Sequence, residues 1–591
     1  MINKFIEQAQ RGENVFLCDV RDAFASAKTS IECEIKPVKY PSRNYTISLP
    51  RPEGAQEEAF MKEYFYAHIY NMISALGGEK ISLYIDQDDD YAAALCASLD
   101  EVFQVNLPRG QRTGFGKSLN VTDRVNAAMG CPPFRFEVHR GKRPAACAAK
   151  ENPPPDALAS FKKAAAAAQK AALCGIDIGG TDIKLVAVKN GRIAALKEYD
   201  WHPASMTTMS SLIEAVLLVA EVMRTALSLP DTERANQIRA SLLDKDAPDA
   251  EMAKLIKTAQ AEFGTPELFD GIGVCFPDVV IADKIVGGET DKMRSIRKHS
   301  PDYEKEFAQI FGLDDMLKKI CKPGGVVHMS NDGALAAYTA AVELAHSENA
   351  DVIVNGAFAH TLGTDLGTGW IDETGEIPQI PLEVYNSILD LGNYPARTYN
   401  AFDVRSTANF VTGLFGTPSK YTSQFGAYRI ALQIFEKEAP ALYNELFEKG
   451  FVEKSGDSIL VVSSPHDMRK ALLAHIMDLA DKGEPAAEKV FREIGKVMAV
   501  IWRETEFVLC PAAKSRVLFG RFVKRKKCFD LMQEGAGEKY GSYLVAGDDD
   551  LAHTNLMQLL RDDPVYTVAQ FGQAVGAAYY AASGINTGGN S

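Results

Sequence analysis

The distribution of hydrophobic and polar positions divides the chain into strand-like and helix-like segments. Short runs of β-branched and aromatic residues indicate strands, and apolar positions that recur every three to four residues indicate helices. Before residue 150 this pattern predicts strands at 45–49, 81–85, 102–107 and 134–139, and an amphipathic helix at 56–76. The first 150 residues are therefore predicted to form an α+β domain.

Beyond residue 172 the pattern changes to strand pairs followed by strand–helix units. Asn190-Gly191 between two short β runs is a strong signal for a two-residue hairpin. The first set comprises strands at 173–178, 184–189, 192–199, 270–276 and 326–330, with helices at 209–228, 302–319 and 333–346. The second set comprises strands at 352–362, 367–373 and 517–521, with several helices between 425 and 509 and a last helix at 567–582. This order predicts an α/β fold with mixed sheets.

A boundary separates these two parts of the chain. Pro153, Pro154 and Pro155 form a stiff run, and the Ala-rich segment after it favours a helix with little to pack against. We therefore expect an N-terminal domain at 1–150, a Pro/Ala-rich linker helix at 151–172, and α/β units at 173–330 and 331–585. The last helix of the second unit could pack back on the first.

Composition narrows the class of protein. The 591 residues are 46% hydrophobic and 24% charged, as in ordinary globular proteins, and the net charge of −14 disfavours binding to nucleic acid. No apolar run is long enough for a membrane span, and the first residues have no signal-peptide pattern, so neither is expected. The ten cysteines form no CxxC pair, which favours a reducing cytoplasm.

Two segments of the first domain imitate ligand-binding motifs. The run GQRTGFGKS at 110–118 resembles a phosphate-binding P-loop, but Gln111 stands where the first glycine is required. The run DQDDDY at 86–91 resembles the start of a calcium loop, but Tyr91 replaces the turn glycine and Ala97 the closing glutamate. A solvated turn is the better interpretation of the acidic run.

Two glycine-rich turns, one in each α/β unit, are candidate phosphate loops. Gly179-Gly180 lets the backbone approach a bound group closely, and Thr181 adds a hydroxyl. Asp177, just before this turn, could hold Mg²⁺ through water. The second turn spans 363–369. Either turn alone is also typical of an ordinary hairpin, and the pair, separated by Asn331-Asp332, is more specific.

This constellation resembles the sugar-kinase branch of the actin/hexokinase ATPase superfamily, and most closely the ROK family of bacterial sugar kinases and repressors. The matching segments are DIGGT (177–181), GIGVCFP (271–277), SNDGALAAY (330–338), LGTDLGTGWI (362–371), VLFGRF (517–522) and GAAYYA (576–581). The resemblance covers about residues 173–585 and implies a two-lobed actin-like ATPase (ribonuclease H-like) fold, with the N-terminal α+β domain outside it.

The resemblance implies roles for individual residues. Asp332 would be the general base that takes the proton from a sugar hydroxyl, although Asn331-Asp332 also suits a helix N-cap. Asn331, Glu383 and Asn386 would bind the sugar, with a helix-start carboxylate as the alternative interpretation of Glu383. ATP would be held by Gly179, Gly180, Thr181, Gly363, Thr364, Gly367 and Gly520, with Asp177 toward Mg²⁺.

The chain departs from the family pattern in several places. No cysteine lies between Cys321 and Cys510, so the family's structural zinc is not expected. Asp182 and Asp365 add negative charge to the two loops, which Mg²⁺ or Lys184 would have to offset. His328 and His360 are more typical of core histidines than of ligands.

The sequence thus predicts an ATP- and Mg²⁺-dependent kinase that phosphorylates a hydroxyl of a small sugar in the cytoplasm and could form a homodimer. The alternative is a non-catalytic ROK-like protein that senses a sugar or a nucleotide. An iron–sulfur activator ATPase on the same fold is disfavoured because no matching cysteine pair is present.

Overall fold

The fold is described from a computed structural model, which covers residues 1–144, 156–288, 291–514, 516–540, 544–546 and 551–585. The proline run of the predicted linker lies outside these ranges. Among the described residues, no helix is both long and apolar enough to span a membrane.

The N-terminal domain is built on one four-stranded sheet, in the order β2-β1-β3-β4. Strand β1 pairs antiparallel with β2 and β3, and β4 pairs parallel with β3. Its elements are α1 (Asn3–Gln10), α2 (Leu17–Phe24), β1 (Ser30–Lys36), β2 (Arg43–Ser48), α3 (Ala55–Leu76), β3 (Lys80–Ile85), α4 (Asp90–Ala97), α5 (Leu99–Val102), α6 (Ser118–Ala128) and β4 (Arg135–Arg140).

The first lobe contains a five-stranded sheet in the order β11-β8-β5-β6-β7. Strands β5, β6 and β7 form an antiparallel meander, and β8 and β11 extend it as parallel strands. Its elements are α7 (Ala157–Ala168), β5 (Ala172–Ile178), β6 (Asp182–Lys189), β7 (Arg192–Asp200), α8 (Met209–Ser228), α9 (Glu233–Leu243), α10 (Asp249–Phe263), β8 (Phe269–Phe276), β9 (Val280–Ile281), β10 (Lys284–Ile285), α11 (Arg294–His299), α12 (Tyr303–Phe307), α13 (Leu313–Lys318) and β11 (Cys321–Asn331).

The second lobe repeats this arrangement in reduced form, with a sheet in the order β13-β12-β16-β17. Strands β12 and β13 form an antiparallel hairpin, and β16 and β17 follow as parallel strands. Its elements are α14 (Asp332–Leu344), β12 (Ala357–Leu362), β13 (Leu366–Ile371), α15 (Ser419–Thr422), α16 (Gln424–Glu438), α17 (Pro440–Glu448), β14 (Val452–Ser455), β15 (Ser458–Val461), α18 (Arg469–Asp481), α19 (Pro485–Leu509), β16 (Arg516–Gly520), α20 (Lys526–Tyr540), β17 (Leu544–Ala546), α21 (Asn555–Arg561) and α22 (Val568–Ser583).

In both sheets, an antiparallel hairpin is extended by two parallel strands on the side of its first strand. This topology, present twice, is that of the actin-like ATPase lobes. The predicted fold class is therefore confirmed by the sheets themselves. The two candidate phosphate loops occupy the same place in both lobes, at the turn of the β5–β6 hairpin and of the β12–β13 hairpin. A topological repeat thus relates two loops that are more than 180 residues apart in the chain.

The last helix returns to the first lobe. Helix α22 packs on β5 and β8, where Gly175 and Gly273 leave room for its backbone, because a Cβ at either position would overlap a carbonyl of the helix. Helix α7 packs on α22 and α14 through the buried Ala164, Ala168 and Phe161. The alanine-rich segment therefore differs from the expected spacer, because its small side chains form a close helix contact.

The predicted strand at 102–107 is wrong. Gln104 has a left-handed backbone with φ of 53°, and Arg112 takes up the carbonyl groups of Gln104 and Val105 that a strand would pair. The predicted strand at 352–362 is shorter than expected, since its first residues form a 3-10 turn and β12 begins at Ala357.

Candidate active site

A cavity of about 520 Å³ lies between the second lobe, the end of the first-lobe sheet and the N-terminal domain. Its walls include Asn331-Asp332, the second glycine turn, the 381–386 segment and residues from α3 and α6. The cavity therefore brings together Asp332, Asn331, Glu383, Asn386, Gly363, Thr364 and Gly367 from the residues that the sequence singled out. The first glycine turn and Gly520 are not among the residues that line it.

Asp332 is the first residue of α14, at the point where β11 of the first lobe ends. The side chain of Asn331 caps the helix by accepting a hydrogen bond from the Gly333 amide at 2.9 Å, and donates to the Asp278 carbonyl at 3.0 Å. The Gly333 amide also donates to Asp332 Oδ1 at 2.8 Å. Burial raises the pKa of Asp332, and the positive charge of Lys292 opposes this shift. The N-cap therefore holds this carboxylate, with its raised pKa, in a fixed position.

The first glycine turn is tight and has its own charge compensation. The Gly179 amide donates to the Asp182 carbonyl at 2.8 Å, and Lys184 Nζ donates to Asp182 Oδ1 at 2.7 Å. A Cβ on Gly179 would lie 2.6 Å from Asp182 Oδ1, so the turn requires glycine there. Lys184 thus offsets the acidic residue that the sequence placed in this loop.

The second turn carries a buried carboxylate. Asp365 Oδ1 accepts a hydrogen bond from the Leu366 amide at 2.9 Å, and burial raises the pKa of Asp365 to about 6. The positive charge of Lys420 opposes this shift. His360, on the adjoining strand, is buried and bonded to Thr368 at 3.1 Å, as a core histidine is.

Glu383 and Asn386 form one polar pair on the opposite wall. Asn386 Nδ2 donates to Glu383 Oε2 at 3.1 Å. Burial raises the pKa of Glu383 to about 8, and Asp278 adds to this shift. The Glu383 amide donates to the Ser74 carbonyl at 3.0 Å, and the Leu382 amide to the Ala75 carbonyl at 2.9 Å. The end of α3 therefore holds this wall in place.

Lys292 is a residue that the sequence reasoning missed. Its Cε lies 3.1 Å from the position that a Cβ on Gly180 would occupy, beside the first turn. Burial lowers the pKa of Lys292, and Asp332 and Asp278 oppose that shift. A lysine thus connects the first glycine turn with the carboxylates of the cavity. No motif marked it in the sequence; it lies in a short 3-10 turn at Asp291–Met293.

Asp177 lies beneath the first turn. Burial raises the pKa of Asp177 to about 6, whereas the Cys275 thiol and Lys184 lower it and Asp332 raises it further. Within the described ranges, no group of three or more His, Cys, Asp or Glu side chains is arranged to hold a metal ion. Mg²⁺ commonly binds through one or two carboxylates together with water and substrate phosphates, and Asp177 fits that kind of site.

Gly520 ends β16 next to the β12–β13 hairpin. Its φ is +98°, and a Cβ would overlap the Leu362 carbonyl, so both conformation and space require glycine. This position brings the start of the following segment beside the second glycine turn.

The N-terminal domain is joined to the second lobe rather than tethered beside it. Asn71 of α3 exchanges two hydrogen bonds with the backbone of Ile388, and Arg21 forms a buried ion pair with Glu504 at 2.8 Å. Tyr45 donates to the Val508 carbonyl at 2.5 Å. No sequence motif predicts this packing, since it joins residues more than 300 positions apart.

No protein-family model and no curated protein sequence matches the chain. Similar solved structures include a ROK family glucokinase from Streptomyces griseus in complex with glucose and AMPPNP. It is 17% identical, with 69% of this chain and 98% of that chain covered and a TM-score of 0.35. A ROK hexokinase from Thermus thermophilus is 14% identical, with 69% and 96% covered and a TM-score of 0.37.

A ROK family transcriptional regulator, a homolog of the E. coli MLC protein, is 11% identical, with 70% of this chain and 79% of that chain covered and a TM-score of 0.37. Because the identities and TM-scores are low, the topology of the two sheets defines the fold. The chain is an α/β protein with two actin-like lobes and an added N-terminal domain.

Proposed function

We propose that this protein is an ATP-dependent kinase that transfers the γ-phosphate to a hydroxyl group of a small carbohydrate. The observation that carries the proposal is the position of Asp332. Its buried carboxylate lies at the start of a capped helix, in a cavity that also contains the second glycine turn and the Glu383–Asn386 pair.

In this reaction Asp332 is the general base. It accepts the proton of the sugar hydroxyl while the hydroxyl oxygen bonds to the γ-phosphorus and the bond from phosphorus to the bridging oxygen of ADP breaks. Phosphoryl transfer depends mainly on positioning and charge stabilisation, which suits a rigidly capped carboxylate. The raised pKa of Asp332 makes it a stronger base than a solvated aspartate.

The nucleotide would lie along the two glycine turns, with its phosphates at the amide groups of Gly180, Thr181 and Thr364. Mg²⁺ held through Asp177 would supply positive charge against the β- and γ-phosphates. Lys292 would add a second positive charge between the first turn and Asp332. Because Gly520 has no side chain, it would leave room beside the backbone for the adenosine end of the nucleotide.

The sugar would lie between Asp332, Asn331 and the Glu383–Asn386 pair. With a pKa of about 8, Glu383 is mostly protonated at pH 7, so it would donate one hydrogen bond to a sugar oxygen as well as accept others.

A second candidate function is a non-catalytic sensor of a sugar or a nucleotide on the same fold. The observation in its favour is the pairing of charges already present in the cleft, where Lys292 and Lys184 neutralise the carboxylates near the first turn. Such a site would bind ligand without the electrostatic imbalance that drives turnover.

The two functions are separated by measuring ADP release from Mg²⁺-ATP with hexoses, N-acetylhexosamines and polyols. A kinase gives turnover with some acceptor, which Asp332→Asn abolishes. Binding of a sugar or ATP without turnover in either protein identifies the sensor, and the absence of binding by both ligands refutes both functions.

A further inference from the structure

The third wall of the cavity comes from the N-terminal domain, which lies outside the segments that resemble known kinases. Tyr70 and Ser74 of α3 and Lys117, Ser118 and Thr122 at the start of α6 line the same cavity as Asp332. The Gly114–Lys117 turn belongs to the segment that imitates a P-loop in the sequence. This wall therefore faces whatever ligand reaches Asp332.

The backbone of this turn does not form a phosphate loop. The Gly116 amide donates to the Thr113 carbonyl at 3.0 Å, and the Ser118 amide is bonded back to Phe115 and Gly116. These amide groups are therefore used within the turn and are not directed at a ligand. A Cβ on Gly116 would lie 2.9 Å from the Phe103 carbonyl, so the turn is packed tightly against its own domain.

The side chains of the turn remain available. The hydroxyl of Ser118 donates to the Phe115 carbonyl at 2.8 Å, and that of Thr122 donates to the Ser118 carbonyl at 3.2 Å. Because each hydroxyl has used its proton, both can accept hydrogen bonds from ligand hydroxyl groups. Lys117 is then the donor that this wall offers.

Charge separates Lys117 from its neighbours. Three arginines of the same domain are held by ion pairs at 2.7–3.1 Å, namely Arg109 and Arg124 with Glu304, and Arg112 with Asp123. Lys117 is half-buried and forms no ion pair in the described part of the chain. Among the described residues that line the cavity it is the single basic one, whereas Asp278, Asp332, Asp365 and Glu383 are acidic.

The described lining of the cavity thus combines several acidic and hydrogen-bonding groups with one basic side chain that forms no ion pair there. A neutral sugar would leave this half-buried ammonium group without an anionic partner, whereas a sugar with an anionic substituent would provide one. Charge-assisted hydrogen bonds of this kind are about twice as strong as neutral ones.

We propose that the N-terminal domain completes the acceptor site, and that Lys117 binds an anionic substituent, a phosphate or a carboxylate, on the sugar acceptor. This inference rests on the proposed function, because only a kinase has a sugar acceptor. The binding that it describes can nevertheless be measured without turnover.

The test uses the full-length protein and three ligand classes: neutral hexoses, hexose 6-phosphates, and hexuronic or hexonic acids. Calorimetry gives the dissociation constant of each, and coupled ADP release gives the rates. Lys117→Met keeps the aliphatic stem and removes the charge. Lys39→Met is the matched control, because Lys39 is an exposed lysine of the same domain outside the cavity.

We expect wild type to bind an anionic sugar more tightly than its neutral counterpart, and Lys117→Met to weaken that binding about ten- to a hundred-fold while leaving the neutral sugar unchanged. Added salt should weaken the anionic sugar selectively. Lys39→Met should behave as wild type. The 6-phosphate and acid arms show which anion the wall accepts.

Each other outcome has a distinct meaning. Turnover of a neutral sugar, with no tighter binding of anionic sugars and no effect of Lys117→Met on their binding, upholds the kinase and overturns the role of Lys117. Lys117-dependent binding of an anionic sugar without turnover upholds this inference and overturns the kinase. Weaker ATP binding in Lys117→Met with unchanged sugar binding also overturns it, and assigns Lys117 to the nucleotide. If no sugar of any class binds, both proposals are overturned.

Discussion

The most direct test of the site is the substitution Asp332→Asn, which changes the charge of one buried group and little else. Asp332 Oδ1 accepts the Gly333 amide at 2.8 Å, and an asparagine oxygen can accept the same hydrogen bond. The cap of α14 comes from Asn331 and is untouched. The helix should therefore stay in place while the proton acceptor is lost.

The magnitude of the effect follows from the role of the group. Loss of a positioned general base slows reactions by about 10²–10⁴-fold. At about 1.4 kcal/mol per factor of ten, this raises the barrier by about 3–5 kcal/mol. We expect kcat to fall by that factor, with the KM for ATP within about threefold of wild type.

In contrast to kcat, the free energy of unfolding should not fall in this variant. Burial raises the pKa of Asp332 above its ordinary value of 3.8, so the folded protein binds this proton more tightly than the unfolded chain. The wild type therefore loses stability as the pH rises from the unfolded-state value through the folded-state value. Asp332→Asn removes this loss, and its free energy of unfolding at pH 8 should equal or exceed that of wild type.

Both quantities can be measured on the same preparations, by coupled ADP release and by urea unfolding at pH 5 and pH 8. Asp302→Asn is the matched control, because Asp302 is an exposed N-cap residue of α12, outside the cavity. The reasoning is refuted if Asp332→Asn keeps more than about a tenth of the wild-type kcat on the sugar that wild type phosphorylates.

Substitutions at three further residues test the site and the packing of the fold. Lys292→Met should raise the KM for ATP about ten- to a hundred-fold. It should also move the acid limb of the pH–rate profile to higher pH, because Lys292 lowers the pKa of Asp332. An unchanged profile contradicts this. Glu383→Gln should keep most sugar binding at pH 7 and Glu383→Ala should lose it, since Glu383, with a pKa of about 8, is mostly neutral at that pH. Calorimetry at pH 7 and pH 9 checks this. A wild-type affinity for sugar that is equal at both pH values argues against it. Glu343→Ala should reduce the free energy of unfolding by about 2–4 kcal/mol in urea titrations. The buried Glu343 accepts hydrogen bonds from the His553 and Thr554 amides and the Thr554 hydroxyl, and the variant loses all of them. A loss below about 0.5 kcal/mol would show that these hydrogen bonds are dispensable.

The sequence by itself determined the features that depend on neighbouring residues. Asn190-Gly191 predicted the β6–β7 hairpin, and both residues have the positive φ that this turn requires. The glycine turns and the Asn331 cap could be read for the same reason, since each is fixed by a few consecutive residues. The prediction of a strand at 102–107 was wrong because the side chain of Arg112, beyond the end of the apolar run, takes the carbonyl groups that a strand would use.

The tertiary structure decided which charges meet. Lys292 acts on the pKa of Asp332 and Lys117 lines the same cavity, although nothing in the local sequence of either lysine indicates this. The sequence shows an acidic residue in each of the two glycine turns, but only the fold shows that Lys184 pairs with Asp182 and that Asp365 is buried. Likewise, only the fold shows that the first domain forms a wall of the cavity, because packing between distant segments depends on shape and buried area rather than on local pattern.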